Sequence, residues 1–217
     1  MNNTTKGGLI GGGSGAALGA ALGAFIGNGK GALIGGAIGA AAGTGAGLLI
    51  GKKMDKAKAE AAKIAAAKVE SVTDQNGYEA VKVTFDSGIL FQTGSSTLSA
   101  TAQSSLSQFA SNVLLPNTDM NVGIVGFTDN AGWKGATAAE SAQKNQVLSQ
   151  QRAQAVSGYL LSKGVSSAQI KEVAGLGESN PVADNSTVAG KAQNRRVEVY
   201  LYASDAMIQK AKAEAGQ

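Results

Sequence analysis

The hydrophobic rhythm of the chain changes after its first fifty residues. Residues 9–27 and 31–50 are two apolar stretches without a charged side chain, divided by the polar turn Asn28, Gly29 and Lys30. A glycine recurs at every fourth position through both, from Gly11 to Gly51, eleven in all. Glycine costs a soluble helix ~1 kcal/mol relative to alanine, so such a ladder is kept where bare backbones must touch, most often in lipid. At 1.5 Å per residue each stretch reaches ~30 Å, about the hydrocarbon thickness of a bilayer, which predicts a membrane-associated glycine-zipper hairpin over residues 1–51. A four-residue spacing favours right-handed crossing, between the two arms or between copies of the chain, and so offers a route to a homo-oligomer. The competing reading is a flexible Gly/Ala linker. Large side chains such as Leu18, Leu22, Phe25, Ile26, Leu33 and Ile38 weigh against it, because linkers avoid them.

Residues 52–69 consist almost wholly of strong helix formers and predict a helical spacer that holds the next domain away from the anchor. Its apolar content is mostly alanine, which argues against a core-facing stripe. Beyond it the pattern becomes globular. Residues 78–85 (YEAVKVTF) alternate as a half-buried strand does, and residues 69–73 are placed to pair with them across an Asn-Gly turn. A helix is predicted over 99–115, closed by Pro116, and a buried strand over 121–127. A long helix over 137–162 turns Val147, Leu148, Ala155, Val156, Tyr159 and Leu160 inward, and strands follow at 170–174 and 196–202. The order β-α-β-α-β-β predicts an α/β (α+β) two-layer sandwich, a mixed sheet with helices on one face, over residues 70–203. Residues 204–217 are left as a C-terminal tail.

Composition removes whole classes of chemistry. The chain has no His and no Cys, so imidazole bases, thiolate nucleophiles and the common zinc sites are excluded, and no cofactor is expected. No phosphate loop survives inspection, since the glycine it would need before Lys30 or Lys52 is Ala24 or Ala46. A Ser/Lys or paired-carboxylate enzyme is left without an organising motif. A net charge of +4 with 5% aromatic residues gives no basic, aromatic-laced surface for nucleic acid. Neither apolar stretch holds an ionisable residue that a proton- or ion-conducting role would use. The start of the chain makes a poor secretory leader, because the glycine repeat runs on past Lys30.

Five ordered runs carry a resemblance: IVGFTDN at 124–130, NQVLSQQRA at 145–153, YLLSKGV at 159–165, GLGESNP at 175–181 and NRRVE at 194–198. Together they resemble the OmpA-like peptidoglycan-binding domain. A glycine-zipper hairpin ahead of such a domain is similar to outer-membrane lipoproteins of the OmpA family. The resemblance implies a non-catalytic protein of the cell outer membrane, its globular domain facing the periplasm, that tethers the membrane to peptidoglycan. Lipoproteins of that family are acylated on a Cys, which is expected to have been trimmed from this chain with its signal. The rival reading is an oligomeric, membrane-perturbing or pore-like hairpin for which the domain is a wall anchor. Flagellar stator subunits carry the same domain, but need an acidic residue in a spanning helix.

The ligand implied by the resemblance is the diaminopimelate of the stem peptide, a zwitterion. By the same resemblance Asp129 takes its ammonium and Arg152 forks its carboxylate, a role for which a planar double donor suits better than lysine. On charge alone, Asp129 and Arg152 read equally well as an ordinary ion pair. Thr128, Asn145 and Leu148 match the same runs and are expected to shape the pocket, Leu148 doubling as a core position. Arg195 and Arg196 read as strand-end structure or as ligand contacts, and Phe91, Thr93 and Ser95 as a third wall. Residues 132–140, with the sole tryptophan Trp133, form an insertion relative to the family spacing, either a lid over the site or a cover for an apolar edge.

Overall fold

The structure, a computed structural model, describes residues 44–74 and 76–216. The glycine repeat up to Gly43, and with it most of the expected hairpin, lies outside the described residues. Among the described residues no helix is long and apolar enough to cross a membrane.

Chain order is α1 (Gly45–Ala61), β1 (Ala67–Thr73), β2 (Glu79–Asp86), the short α2 (Ser87–Leu90), α3 (Ala100–Phe109), β3 (Met120–Gly126), α4 (Ala138–Ser162), β4 (Ile170–Gly175), α5 (Val188–Asn194), β5 (Arg196–Ala203) and α6 (Asp205–Glu214). The strands form one sheet in the order β1-β2-β5-β3-β4, with β3 and β4 parallel and the other pairs antiparallel. Alternation sets its faces. Val81, Val83 and Phe85 of β2, Val122 and Ile124 of β3, and Val197, Val199 and Leu201 of β5 share one core with the helices. A smaller cluster of Val72, Ala80, Val125, Phe127, Tyr200 and Tyr202 belongs to the other face. This is the mixed two-layer sandwich read from the sequence. The helix expected over 99–115 leaves α geometry at Ala110–Leu114, which forms a π-helical segment.

Three expectations are corrected. In place of a spacer helix over 52–69, α1 begins seven residues earlier, N-capped by Thr44, and ends at Ala61, and residue 67 already opens β1. The helix does not stand off the domain. Ala46, Ile50, Met54, Ala57 and Ala61 are fully buried in the common core, a stripe at helical spacing whose small alanines let the helix approach closely. Gly45 is packed against Ala215 of the C-terminal segment. The expected tail is α6, capped by Ser204 and burying Met207, Ile208 and Ala211. Finally, Val147 points outward and is 51% exposed, whereas Asn145, Ser149 and Arg152 occupy the buried face of α4. Polar residues on the inner face hid that stripe from a count of apolar positions.

Candidate functional site

The site lies at the end of β3, where chain crossings and a closely seated helix bring five segments together. Past Gly126 the backbone is held by Phe127, which donates to the Arg196 carbonyl at 2.9 Å, and by Thr128, which donates to the Gly177 carbonyl at 2.8 Å. Helix α4 crosses beside it at backbone contact. A side chain on Gly126 would collide with the Ser149 carbonyl, and one on Gly175 with the Gln150 backbone. Gln146 donates to the Gly175 carbonyl (2.5 Å) and Gln150 accepts from the Gly175 amide (2.6 Å), which fixes the helix against β4. The cap is equally defined: Thr137 and Glu140 form a reciprocal capping box at the N-terminus of α4.

Asp129, Arg152, Thr128, Asn145 and Leu148 all border one cleft of about 900 Å³. The sequence-predicted set is therefore gathered in one place. Phe91 and Thr93 form the opposite wall, while the Ser95 carbonyl accepts from Arg152 Nε at 3.0 Å.

Asp129 and Arg152 do not form the ion pair that charge alone suggested. Asp129 is 6% exposed; its Oδ1 accepts from the Ala131 amide (3.0 Å) and its Oδ2 from Arg195 Nη1 (2.5 Å). Arg152 is 3% exposed, its guanidinium lies 5.2 Å from the Phe91 ring centroid, and no carboxylate pairs with it among the described residues. Burial, and after it the neighbouring Arg195 charge, pull the Arg152 pKa below the ordinary arginine value, with Asp129 pushing the other way. The cleft thus holds two guanidiniums but one carboxylate, Asp129, which pairs with Arg195 alone, and Lys134 and Lys191 also line it. The result is a net positive hollow with a largely dry guanidinium, a surface complementary in charge to an anion.

Asn145 is the hub of the loop. Its Nδ2 faces the carbonyls of Asp129 (3.4 Å) and Ala131 (3.2 Å) and the Glu178 carboxylate (3.2 Å), and its Oδ1 accepts from Trp133 Nε1 at 2.8 Å. The 132–140 insertion is therefore tied down onto α4, with the Trp133 amide also donating to Ser141 Oγ (3.0 Å). Trp133 borders the cleft and does not cap a remote edge. Thr128 Oγ1 is buried with no hydrogen-bond partner among the described residues, next in the chain to Asp129.

The two arginines of the last run have separate duties. Arg195 faces the cleft, while Arg196 is buried against Phe127 (3.8 Å to the ring centroid) and bonded to Glu198 at 2.7 Å. Glu198 also accepts from the Tyr200 hydroxyl. Sequence reasoning missed Asn194, directly ahead of Arg195 in the chain, which ties down the 182–185 loop. Its Oδ1 accepts from the amides of Val182 (2.7 Å) and Ala183 (3.0 Å), and its Nδ2 donates to the Ala183 carbonyl and to Asn185, both at 2.8 Å. The available signal was an amide residue directly ahead of a strand-end arginine pair.

Residues 90–195 match the model of the OmpA family, an interval that contains every cleft residue from Phe91 to Arg195. The protein named Probable lipoprotein YiaD from Escherichia coli K12 is 39% identical over 113 residues, 52% of this chain and 47% of that protein. The Peptidoglycan-binding protein ArfA of Mycobacterium bovis is 46% identical over 83 residues, 38% of this chain and 23% of that one. The chain thus spans less than half the length of either relative. Among solved structures, the cell wall anchor of the T6SS from Pseudomonas aeruginosa superposes with a TM-score of 0.54 at 27% identity, covering 70% of this chain and 97% of that one. Sequence runs, sheet order and cleft agree: residues 90–195 of this chain belong to an OmpA-like domain with homology to YiaD.

Proposed function

We propose that the chain is a non-catalytic tether whose OmpA-like domain binds the diaminopimelate-bearing stem peptide of peptidoglycan and links the outer membrane to the cell wall. The observation that carries this reading is Arg152, a buried guanidinium without a carboxylate partner, facing a cleft it shares with Asp129. A ligand carboxylate would complete the charge balance of Arg152 with two parallel hydrogen bonds. Asp129 keeps acceptor capacity beyond its bonds to Ala131 and Arg195, because each carboxylate oxygen offers two lone pairs, and that capacity suits the ligand ammonium. Thr128 lines the same cleft, and its Oγ1, without a hydrogen-bond partner among the described residues, has bonding capacity for the same headgroup. The names of the similar proteins support the reading: one is named a probable lipoprotein, one a peptidoglycan-binding protein and one the cell wall anchor of the T6SS. In the same reading the chain sits at the outer membrane with its domain in the periplasm.

The test is co-sedimentation with purified sacculi. The intact chain is expected in the pellet, with Asp129→Ala and Arg152→Ala left in the supernatant. Equal retention of all three would overturn the site. Release of soluble wall fragments during the incubation would overturn the non-catalytic part.

A further inference from the structure

The cleft does not end at Leu148. A second hollow of about 420 Å³ adjoins it, and Gly94, Trp133 and Leu148 border both. Its remaining walls are Glu140, Gln143, Lys144, Val147 and Gln151, all exposed on one side of α4. Positions 140 to 151 at intervals of three and four make a continuous row, ~16 Å long at the helical rise. A groove of this length runs out of the cleft along the helix.

Its chemistry differs from that of the cleft. Glu140 is engaged with the Thr137 amide and hydroxyl, so no carboxylate is left to seek a cation there. Gln143 and Gln151 each bring a neutral donor and acceptor on the same arm. Val147 is an exposed apolar surface at 51%, and Trp133 is held in place through Asn145 and Ser141, with Lys144 Nζ 5.9 Å from its ring centroid. A fixed indole, an exposed aliphatic patch and two amides suit a neutral ligand with apolar C–H faces and amide or hydroxyl edges. That is the description of an N-acetylated aminosugar.

We propose that this groove is a saccharide subsite, holding the aminosugar backbone of the wall strand whose peptide occupies the cleft. The proposal rests on the peptide-binding reading above, since it takes its direction from a peptide gripped at Asp129 and Arg152.

Calorimetric titration of the full chain tests it, with the free diaminopimelate tripeptide and with the same tripeptide on its N-acetylglucosaminyl–N-acetylmuramyl disaccharide. The disaccharide-peptide is expected to bind about tenfold tighter than the bare peptide. Gln151→Ala and Val147→Glu, both at exposed positions outside the cleft, are expected to erase that gain while leaving bare-peptide affinity within about twofold. Equal wild-type affinities for the two ligands, or a gain that survives both variants, would overturn the subsite and leave the cleft standing. Absence of binding by either ligand would overturn the cleft reading and the subsite with it.

Discussion

Asp129 gives a carboxylate oxygen to Arg195 at 2.5 Å and none to Arg152, although all three side chains border the same cleft. The pair is lopsided in burial, with the aspartate side chain 9% and the arginine 37% exposed. Arg195 therefore holds the carboxylate from the solvent side. Arg152 is left as the dry charge of the site, and its cost falls on folding rather than on binding.

That cost yields the first prediction. Arg152→Met removes a buried, unpaired charge while keeping an unbranched side chain of similar length. Replacing buried charge by apolar packing is often neutral or stabilising by ~1 kcal/mol or more, which for a domain of this size raises the melting midpoint by about 2–4 °C per kcal/mol. Thermal unfolding should show the variant at least as stable as the parent, while sacculus binding is lost. A large drop in midpoint would mean that Arg152 is a structural residue.

Asn145→Ala is expected to act through the loop. It removes partners from Trp133, Glu178 and two backbone carbonyls, at a cost of about 1–3 kcal/mol. Trp133 is the only tryptophan in the chain, so its emission reports the loop directly. A red shift is expected in the variant, and unchanged emission would remove Asn145 from its role as hub.

Gly126→Ala and Gly175→Ala each drive a methyl group into the backbone of α4. The obstacle is main chain, which cannot rotate away, so each substitution should cost about 1–3 kcal/mol in chemical denaturation. Because the helix carries Asn145, Leu148 and Arg152, ligand affinity is expected to fall as well.

The α4 cap predicts a pH dependence. The Thr137 backbone amide, followed by its hydroxyl, holds the Glu140 carboxyl below its ordinary value of 4.5. A depressed carboxylate pKa contributes stability that is complete above 4.5 and lost as pH falls below it through the folded-state value. The stability difference between parent and Glu140→Gln should therefore shrink on acidification below that point, and carbon NMR of the carboxyl should show the low midpoint.

Met54→Ala tests whether α1 belongs to the fold. Met54 is fully buried, so the loss should be about 2–5 kcal/mol across a single unfolding transition. A spacer helix would give no change.

Much of this was legible in the sequence because period-2 and period-3.6 patterns survive wherever one face is apolar. β2 and β5 show it plainly, and the Asn-Gly turn between β1 and β2 stood where expected. The cleft residues were visible through the runs around Asp129 and Arg152. What was hidden had physical reasons. The inner face of α4 is partly polar, because Asn145, Ser149 and Arg152 serve hydrogen bonds and a cleft, and Val147 was misread inward as a result. α1 uses alanine where a long-range contact supplies the burial, and no local count can see α6 on the other side. The pairing of Asp129 with Arg195, 66 residues apart, belongs to the sheet order alone.

The burial of α1 also bears on force. A pull on the chain ahead of Thr44 enters at α1, whose apolar stripe is locked against α6 and β2 and whose Lys53 is bonded to Asp119. The load would have to break that stripe's contacts with the core before it reached the sheet. No α1 residue lines the cleft, so in the proposed tether the load meets α1 before it meets the binding site.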